Sequence, residues 1–193
     1  MRKLKIEKED AVFVAIDFQE RIMPAMKNHE ELEKTVAKLI KGCRIMGVPI
    51  LVTQQYTKGL GATTQPIIEA LTESLSEELP ATTFSPIEKT SFSAMKEPAF
   101  VKALEALGRK TVIIGGIEAH VCVQQTVIDL LESGYSVFVI NDGVSSRTNM
   151  DKKYAQRRMS ESGAMGTTYE AAVFELCGGA KEQGFKQISN LVK

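Results

Sequence analysis

Cys122 is the residue of this chain whose type and setting most suggest chemistry. It stands in Thr111 to Ser133, TVIIGGIEAHVCVQQTVIDLLES. Thr111 to Ile114 predict a buried strand, and Gly115 and Gly116 are expected to stop it, because glycine supports tight turns. From about Val121 the apolar residues Val123, Val127, Leu130 and Leu131 recur at helical spacing. Cys122 then lies on a strand–turn–helix elbow, at the start of the helix. Free amide N–H groups and the helix dipole favour negative charge there, which predicts a lowered thiol pKa. A nucleophile on such an elbow is a recurring device in hydrolases. A small buried cysteine fits the same geometry, and the residues alone leave both readings open.

A thiol needs a base or an electropositive setting to react near neutral pH. The chain has two histidines, His29 and His120. His29 falls in a helix-start sequence and is expected at the surface, away from the elbow. His120 is two residues before Cys122, and positions i and i+2 of a helix do not face each other. It is a candidate substrate contact rather than the base. That leaves a carboxylate, and Asp17 closes the apolar run Ala11 to Ile16. A strand-end aspartate also serves to cap a turn. A lysine beside it would stabilise both carboxylate and thiolate, but sequence physics does not choose among the 24 basic residues.

The elements that must position these groups alternate. Ala11 to Ile16, AVFVAI, reads as a strand buried on both faces, as in a parallel sheet. Asn28 and Glu31 suggest a capping box for a helix with Leu32, Val36, Leu39, Ile40 and Cys43 on one face, closed at Gly47. Val48 to Thr53 is the second strand and Gln54 to Gln65 a loop. Pro66 to Leu75 is a helix opened by proline. Thr82 to Phe84 suggests a short strand, Pro86 to Ser93 a loop, and Glu97 to Leu107 a helix. After the elbow come a strand at Tyr135 to Ile140, a basic-rich helix at Met150 to Ser162, a short strand at Ala164 to Thr167, and a helix at Tyr169 to Leu176. Cys177 is expected at a frayed, solvated end. Phe185 to Val192 is amphipathic and suits docking on the body or on a neighbouring subunit. This alternation predicts one α/β domain over residues 1–193: a three-layer, doubly wound (Rossmann-like), mostly parallel sheet of about six strands with helices on both faces. Ligands of such sheets bind at the carboxyl ends of the strands, where the order reverses. With the order 3-2-1-4-5, Asp17 and Cys122 meet there.

Composition narrows the partners. The chain carries 24 basic and 24 acidic residues, with no net charge. That argues against nucleic acid or an anionic membrane as partner. The three cysteines, Cys43, Cys122 and Cys177, form neither a disulfide framework nor a zinc signature. Reduced thiols in a cytoplasmic protein are the expectation. Cys43 is expected in the core. The charged start and short apolar run, interrupted at Asp17, do not read as a signal peptide, and no stretch is long enough to span a bilayer.

Several motifs together resemble the isochorismatase-like cysteine hydrolase superfamily, which includes nicotinamidases and N-carbamoylsarcosine amidases. They are D-F-Q at Asp17 to Gln19, K-x-x-F-S at Lys89 to Ser93, G-G-I-E-A-H-V-C-V at Gly115 to Val123, and D-G-V-S-S-R at Asp142 to Arg147. The stretch from Thr53 to Gly61 and the tail near Phe185 are most similar to the isochorismatase domain-containing proteins of that group. The resemblance implies an Asp–Lys–Cys triad at Asp17, Lys89 and Cys122. It also implies a cis peptide between Ile117 and Glu118 that turns the Glu118 N–H toward that of Cys122 as an oxyanion hole. On this reading the Glu118 side chain is incidental.

Nicotinamidases hold a metal after the second strand, and the corresponding positions look like Gln55 and Thr57, so neither metal nor other cofactor is expected. Phe18, Gln19, Gln54, Gln55, Tyr56, Phe92 and His120 are candidate contacts for a small-molecule substrate. Core packing competes for Phe18 and Phe92, and loop bonding for the polar residues. Asp142 and Arg147 are expected to pair and fix a loop. The resemblance further implies a homo-oligomer. The function so read is metal-independent hydrolysis of a small amide-like substrate through a thioester. A vinyl ether hydrolase of the isochorismatase type and a non-catalytic binding protein are the alternatives.

Overall fold

The computed structural model describes residues 3–193. Met1 and Arg2, which open the charged start, lie outside the described residues. Six parallel strands form one sheet in the order β3-β2-β1-β4-β5-β6. They are β1 (Ala11–Ile16), β2 (Ile50–Gln55), β3 (Ile87–Lys89), β4 (Thr111–Gly116), β5 (Ser136–Val144) and β6 (Met165–Thr167). The helices are α1 (His29–Ile45), α2 (Thr57–Leu60), α3 (Gln65–Thr72), α4 (Pro98–Ala106), α5 (Gln124–Glu132), α6 (Asn149–Glu161), α7 (Tyr169–Cys177) and α8 (Phe185–Val192). This is the expected doubly wound α/β fold.

The layers follow from β1. Its six residues are all buried, and alternate side chains of a strand point to opposite faces. Ala11, Phe13 and Ala15 join a core with Leu32, Val36, Leu39, Ile40 and Cys43 of α1, Ile67 of α3 and Val173 of α7. Val12, Val14 and Ile16 join a second core with Phe100 and Leu104 of α4, Val127 and Leu130 of α5, and Ala155 and Met159 of α6. Each fully buried large apolar side chain contributes about 1.5–3 kcal/mol, so the central strand is fixed from both sides. The strand order reverses at β1 and β4, whose carboxyl ends are Ile16 and Gly116.

Several boundaries differ from expectation. β4 runs through both glycines instead of stopping at them, because Gly116 pairs in register with Ile16. A Cβ built on Gly116 would lie 2.5 Å from Ile16 Cβ and 2.8 Å from Ile16 O. The absent side chain therefore permits the close approach that sets Asp17 beside the elbow. Gly116→Ala must push the strand ends apart, and overpacking of this kind costs about 1–3 kcal/mol. Denaturant unfolding of that variant measures the loss; a midpoint equal to wild type would show that the approach is not tight.

The third strand lies at Ile87–Lys89 and not at Thr82 to Phe84. Its pairing with Thr53, Gln54 and Gln55 comes from β2, which local propensity does not see. The loop after β2 contains the short helix α2. Asn28 adopts a left-handed conformation and makes no side-chain cap, so the expected capping box is not formed. Cys177 is buried, not solvated, as is Cys43. α8 docks on the body through Ile188, Phe185 and Leu191. No helix of the described residues is long and apolar enough to cross a membrane.

Candidate active site

Three strand ends assemble the site. Asp17 follows β1 with a positive φ of 55°, a conformation that aspartate tolerates better than most residues. Thr53 of β2 donates its hydroxyl to Asp17 Oδ1 at 2.7 Å. Lys89 closes β3, opposite Gln55, and its Nζ lies 2.7 Å from Asp17 Oδ2. Both side chains of this ion pair are sealed from solvent, Lys89 wholly and Asp17 all but 3 %.

The ammonium also donates to Gln55 Oε1 at 2.7 Å, to the Phe92 carbonyl at 3.0 Å and to the Ser91 carbonyl at 3.2 Å. Four oxygens thus crowd an ammonium with three protons. Asp17 Oδ2 is the one left without an aligned hydrogen bond; charge alone holds it. A buried carboxylate oxygen with a spare lone pair is placed to receive a proton.

Cys122 stands on the other side. The elbow is a π-helical turn, Ala119–Val123, leading into α5. Thr126, one turn on, bonds the Cys122 carbonyl at 2.7 Å and accepts from the Ala94 N–H at 3.0 Å. That stitch ties the elbow to the segment after Lys89. The expected lowering of the thiol pKa does not occur. Burial pushes the thiol up to about 12, the nearby Asp17 carboxylate adds to the rise, and the Lys89 ammonium only partly opposes it. Desolvation and a carboxylate outweigh a helix end here. The resting group is a neutral thiol, 6 % exposed, which requires a base to become a nucleophile.

The peptide between Ile117 and Glu118 is cis. Among the described residues the Glu118 N–H donates no backbone hydrogen bond, and that of Cys122 donates none outside its own turn. The Glu118 N–H therefore lies unspent on the same elbow as the sulfur. The Glu118 side chain is not incidental. It is buried and accepts from Arg147 Nε at 2.8 Å. The expected Asp142–Arg147 pairing is therefore incorrect: Asp142 accepts the Tyr169 N–H at the start of α7.

The remaining candidates separate. Gln19 spends its amide on the carbonyls of Gln55 and Gly61 and on the Gln55 N–H. Gln54 binds Thr57 and Thr63. Both hold the loop after β2. Phe18 is a core residue, fully buried. Gln55 reaches Lys89 and donates to the Thr90 carbonyl. Tyr56 and Phe92 are more than half exposed and flank Lys89: the Tyr56 N–H bonds the Lys89 carbonyl, and the Phe92 carbonyl accepts from its ammonium. His120 faces Ser146, Nδ1 to Oγ at 3.0 Å. His29, half-buried at the start of α1, stands apart.

Sequence reasoning did not single out Thr53 or the Glu118–Arg147 pair. Thr53 carried a signal, since a hydroxyl closing the neighbouring strand can reach a strand-end aspartate. The pair carried none, because 29 residues separate its members.

An isochorismatase domain model matches residues 11–171. Isochorismatase domain-containing protein 1 of Salmo salar is 37% identical over 183 residues, covering 94% of this chain and 60% of that protein. The chain thus spans about 60% of the length of that relative. Among solved structures, the MAR1 ribonuclease of Caenorhabditis elegans is 37% identical, with a TM-score of 0.87 over 97% of this chain and 92% of its own. YcaC of Escherichia coli, described as an octameric hydrolase of unknown specificity, has a TM-score of 0.86 over 99% of this chain and 92% of its own. At 22% identity it speaks for the fold alone.

Proposed function

The chain belongs to the isochorismatase family, and we propose that it is a cysteine hydrolase that cleaves a small amide-like substrate through a thioester on Cys122. The observation that carries this reading is the buried Asp17–Lys89 pair at 2.7 Å, whose two charges both act on the Cys122 thiol. Asp17 Oδ2 takes the thiol proton as the sulfur attacks the carbonyl carbon. Lys89 keeps the carboxylate from holding that proton too tightly. The oxyanion rests on the Glu118 and Cys122 N–H groups. Asp17 then gives the proton to the leaving nitrogen as the C–N bond breaks. Water, deprotonated by the same carboxylate, cleaves the thioester and returns the proton to sulfur. No metal enters these steps.

Self-association of the chain and a small-molecule substrate belong to the same reading. The neutral net charge gives no support for a polyanion as substrate. Since one relative is named a ribonuclease, single-stranded RNA is included in the test as a competing substrate.

The test is intact-protein and peptide mass spectrometry after brief exposure to small amides, a metabolite extract or an RNA oligonucleotide. An acyl adduct confined to Cys122, from a small molecule, supports the reading. RNA cleavage without an adduct overturns it. The sealed, protonated resting thiol favours one second reading, a vinyl ether hydrolase that needs no thiolate. Pyruvate release from isochorismate that survives loss of Cys122 would identify it.

A further inference from the structure

The segment that follows β5, Ser145 to Arg147, is fastened to the elbow at four points. The Ala119 N–H donates to the Ser145 carbonyl at 2.7 Å, and the Ser145 N–H donates to the Gly116 carbonyl at 3.3 Å. Ser146 Oγ meets His120 Nδ1 at 3.0 Å, and Arg147 Nε donates to Glu118 Oε1 at 2.8 Å. The segment is itself anchored from behind, because the Ser145 hydroxyl donates to the Lys27 carbonyl and the Lys27 N–H to that of Ser146.

We infer that Arg147 is a positioning residue that aims the Glu118 N–H at the oxyanion. This rests on the hydrolase reading above and adds to it the group that sets the oxyanion donor. Three directions leave the Glu118 α-carbon region: carbonyl, side chain and N–H. The carbonyl accepts from the Val121 and Val123 N–H groups at 3.1 and 3.2 Å. The side chain, about nine-tenths buried, is held by Arg147. With both of those fixed, only rotation about the N–Cα bond is left to the N–H, and the Ile117 N–H, bonded to the Ile16 carbonyl at 3.0 Å, holds the chain on that side. A carboxylate so buried needs its cation, and without Arg147 it is driven to seek water, turning the backbone with it. Arg147 is itself 62% exposed, so truncating it removes the anchor without opening a hole in the core.

The test compares two reactions of Cys122 in the full-length protein. In acetylation by p-nitrophenyl acetate, the sulfur bonds to the acetyl carbon, nitrophenolate departs and the thiol proton passes to Asp17. This passes through an oxyanion. In alkylation by iodoacetamide, the sulfur bonds to the methylene carbon, iodide departs, the thiol proton again passes to Asp17 and no oxyanion forms. Removing a whole oxyanion donor costs about 10²–10³ in rate, and misplacing one costs less. Arg147→Ala is therefore expected to slow acetylation about 10- to 100-fold while alkylation stays within about twofold. Arg147→Lys restores part of the acetylation rate. In a Glu118→Gln background, Arg147→Ala has little further effect, because the two act as one unit. Acetylation unchanged in Arg147→Ala overturns the inference. So does an equal fall in both reactions, which marks a merely structural role. A wild-type protein that takes no acetyl group on Cys122 overturns the hydrolase reading itself, and the inference with it.

Discussion

Cys122→Ala reduces hydrolysis of any small-amide substrate to the uncatalysed rate, while the protein unfolds at nearly the wild-type denaturant concentration. The two halves of this expectation have different causes. Catalysis is lost entirely because the covalent step has no substitute: the other cysteines, Cys43 and Cys177, are buried in the opposite core, across the sheet from the elbow. Stability changes little because the site gives up one sulfur atom and no hydrogen bond that the backbone depends on. The stitch from Thr126 uses the Cys122 carbonyl, not its side chain. A change within about 1 kcal/mol is expected. Turnover and denaturant midpoint, measured on one preparation, check both halves. A variant that keeps a substantial fraction of wild-type turnover removes Cys122 from the chemistry.

Asp17→Asn has the second large effect, and it acts in two ways. Asparagine is nearly isosteric, so the packing around it is kept, but the proposed general base is gone. A positioned base contributes about 10²–10⁴ in rate, and turnover falls by that amount. At the same time the Lys89 ammonium is left buried with only neutral oxygens around it. Breaking a buried ion pair by removing one partner costs about 3–5 kcal/mol, so the unfolding midpoint falls well below that of Cys122→Ala. Kinetics at a temperature where the variant is folded, together with denaturant titration, measure the two separately. Full stability in Asp17→Asn would mean that the ion pair is solvated after all.

The sequence was most informative where burial is two-sided. AVFVAI, VPILVT, TVII and YSVFVI could be read as strands because their apolar side chains face one of two cores. With the common doubly wound order, those strands bring Asp17 and Cys122 to one end of the sheet. Lys89 was not legible in this way. It sits on a three-residue edge strand, Ile87–Lys89, whose existence depends on pairing with β2, and only the resemblance of the K-x-x-F-S motif drew attention to it. The thiol's state was misread because a helix start was weighed without its surroundings. Burial and the Asp17 charge are tertiary facts, and together they reverse the sign. Gln19 and Gln54 looked like cleft residues for a related reason. A buried amide next to a strand end is as useful to a loop backbone as to a ligand, and here the backbone takes both. The Glu118–Arg147 pair joins two segments that come together only when β4 and β5 align.

Catalysis as proposed requires a carboxylate, an ammonium and a sulfur to share one buried space. The pH profile of iodoacetamide alkylation at Cys122, followed by peptide mass spectrometry, tests this most directly. Asp17 raises the thiol pKa and Lys89 lowers it. The profile of Asp17→Asn should therefore shift to lower pH than wild type, and that of Lys89→Met to higher pH. Three superimposable profiles would mean that neither charge reaches the sulfur, and would contradict the account.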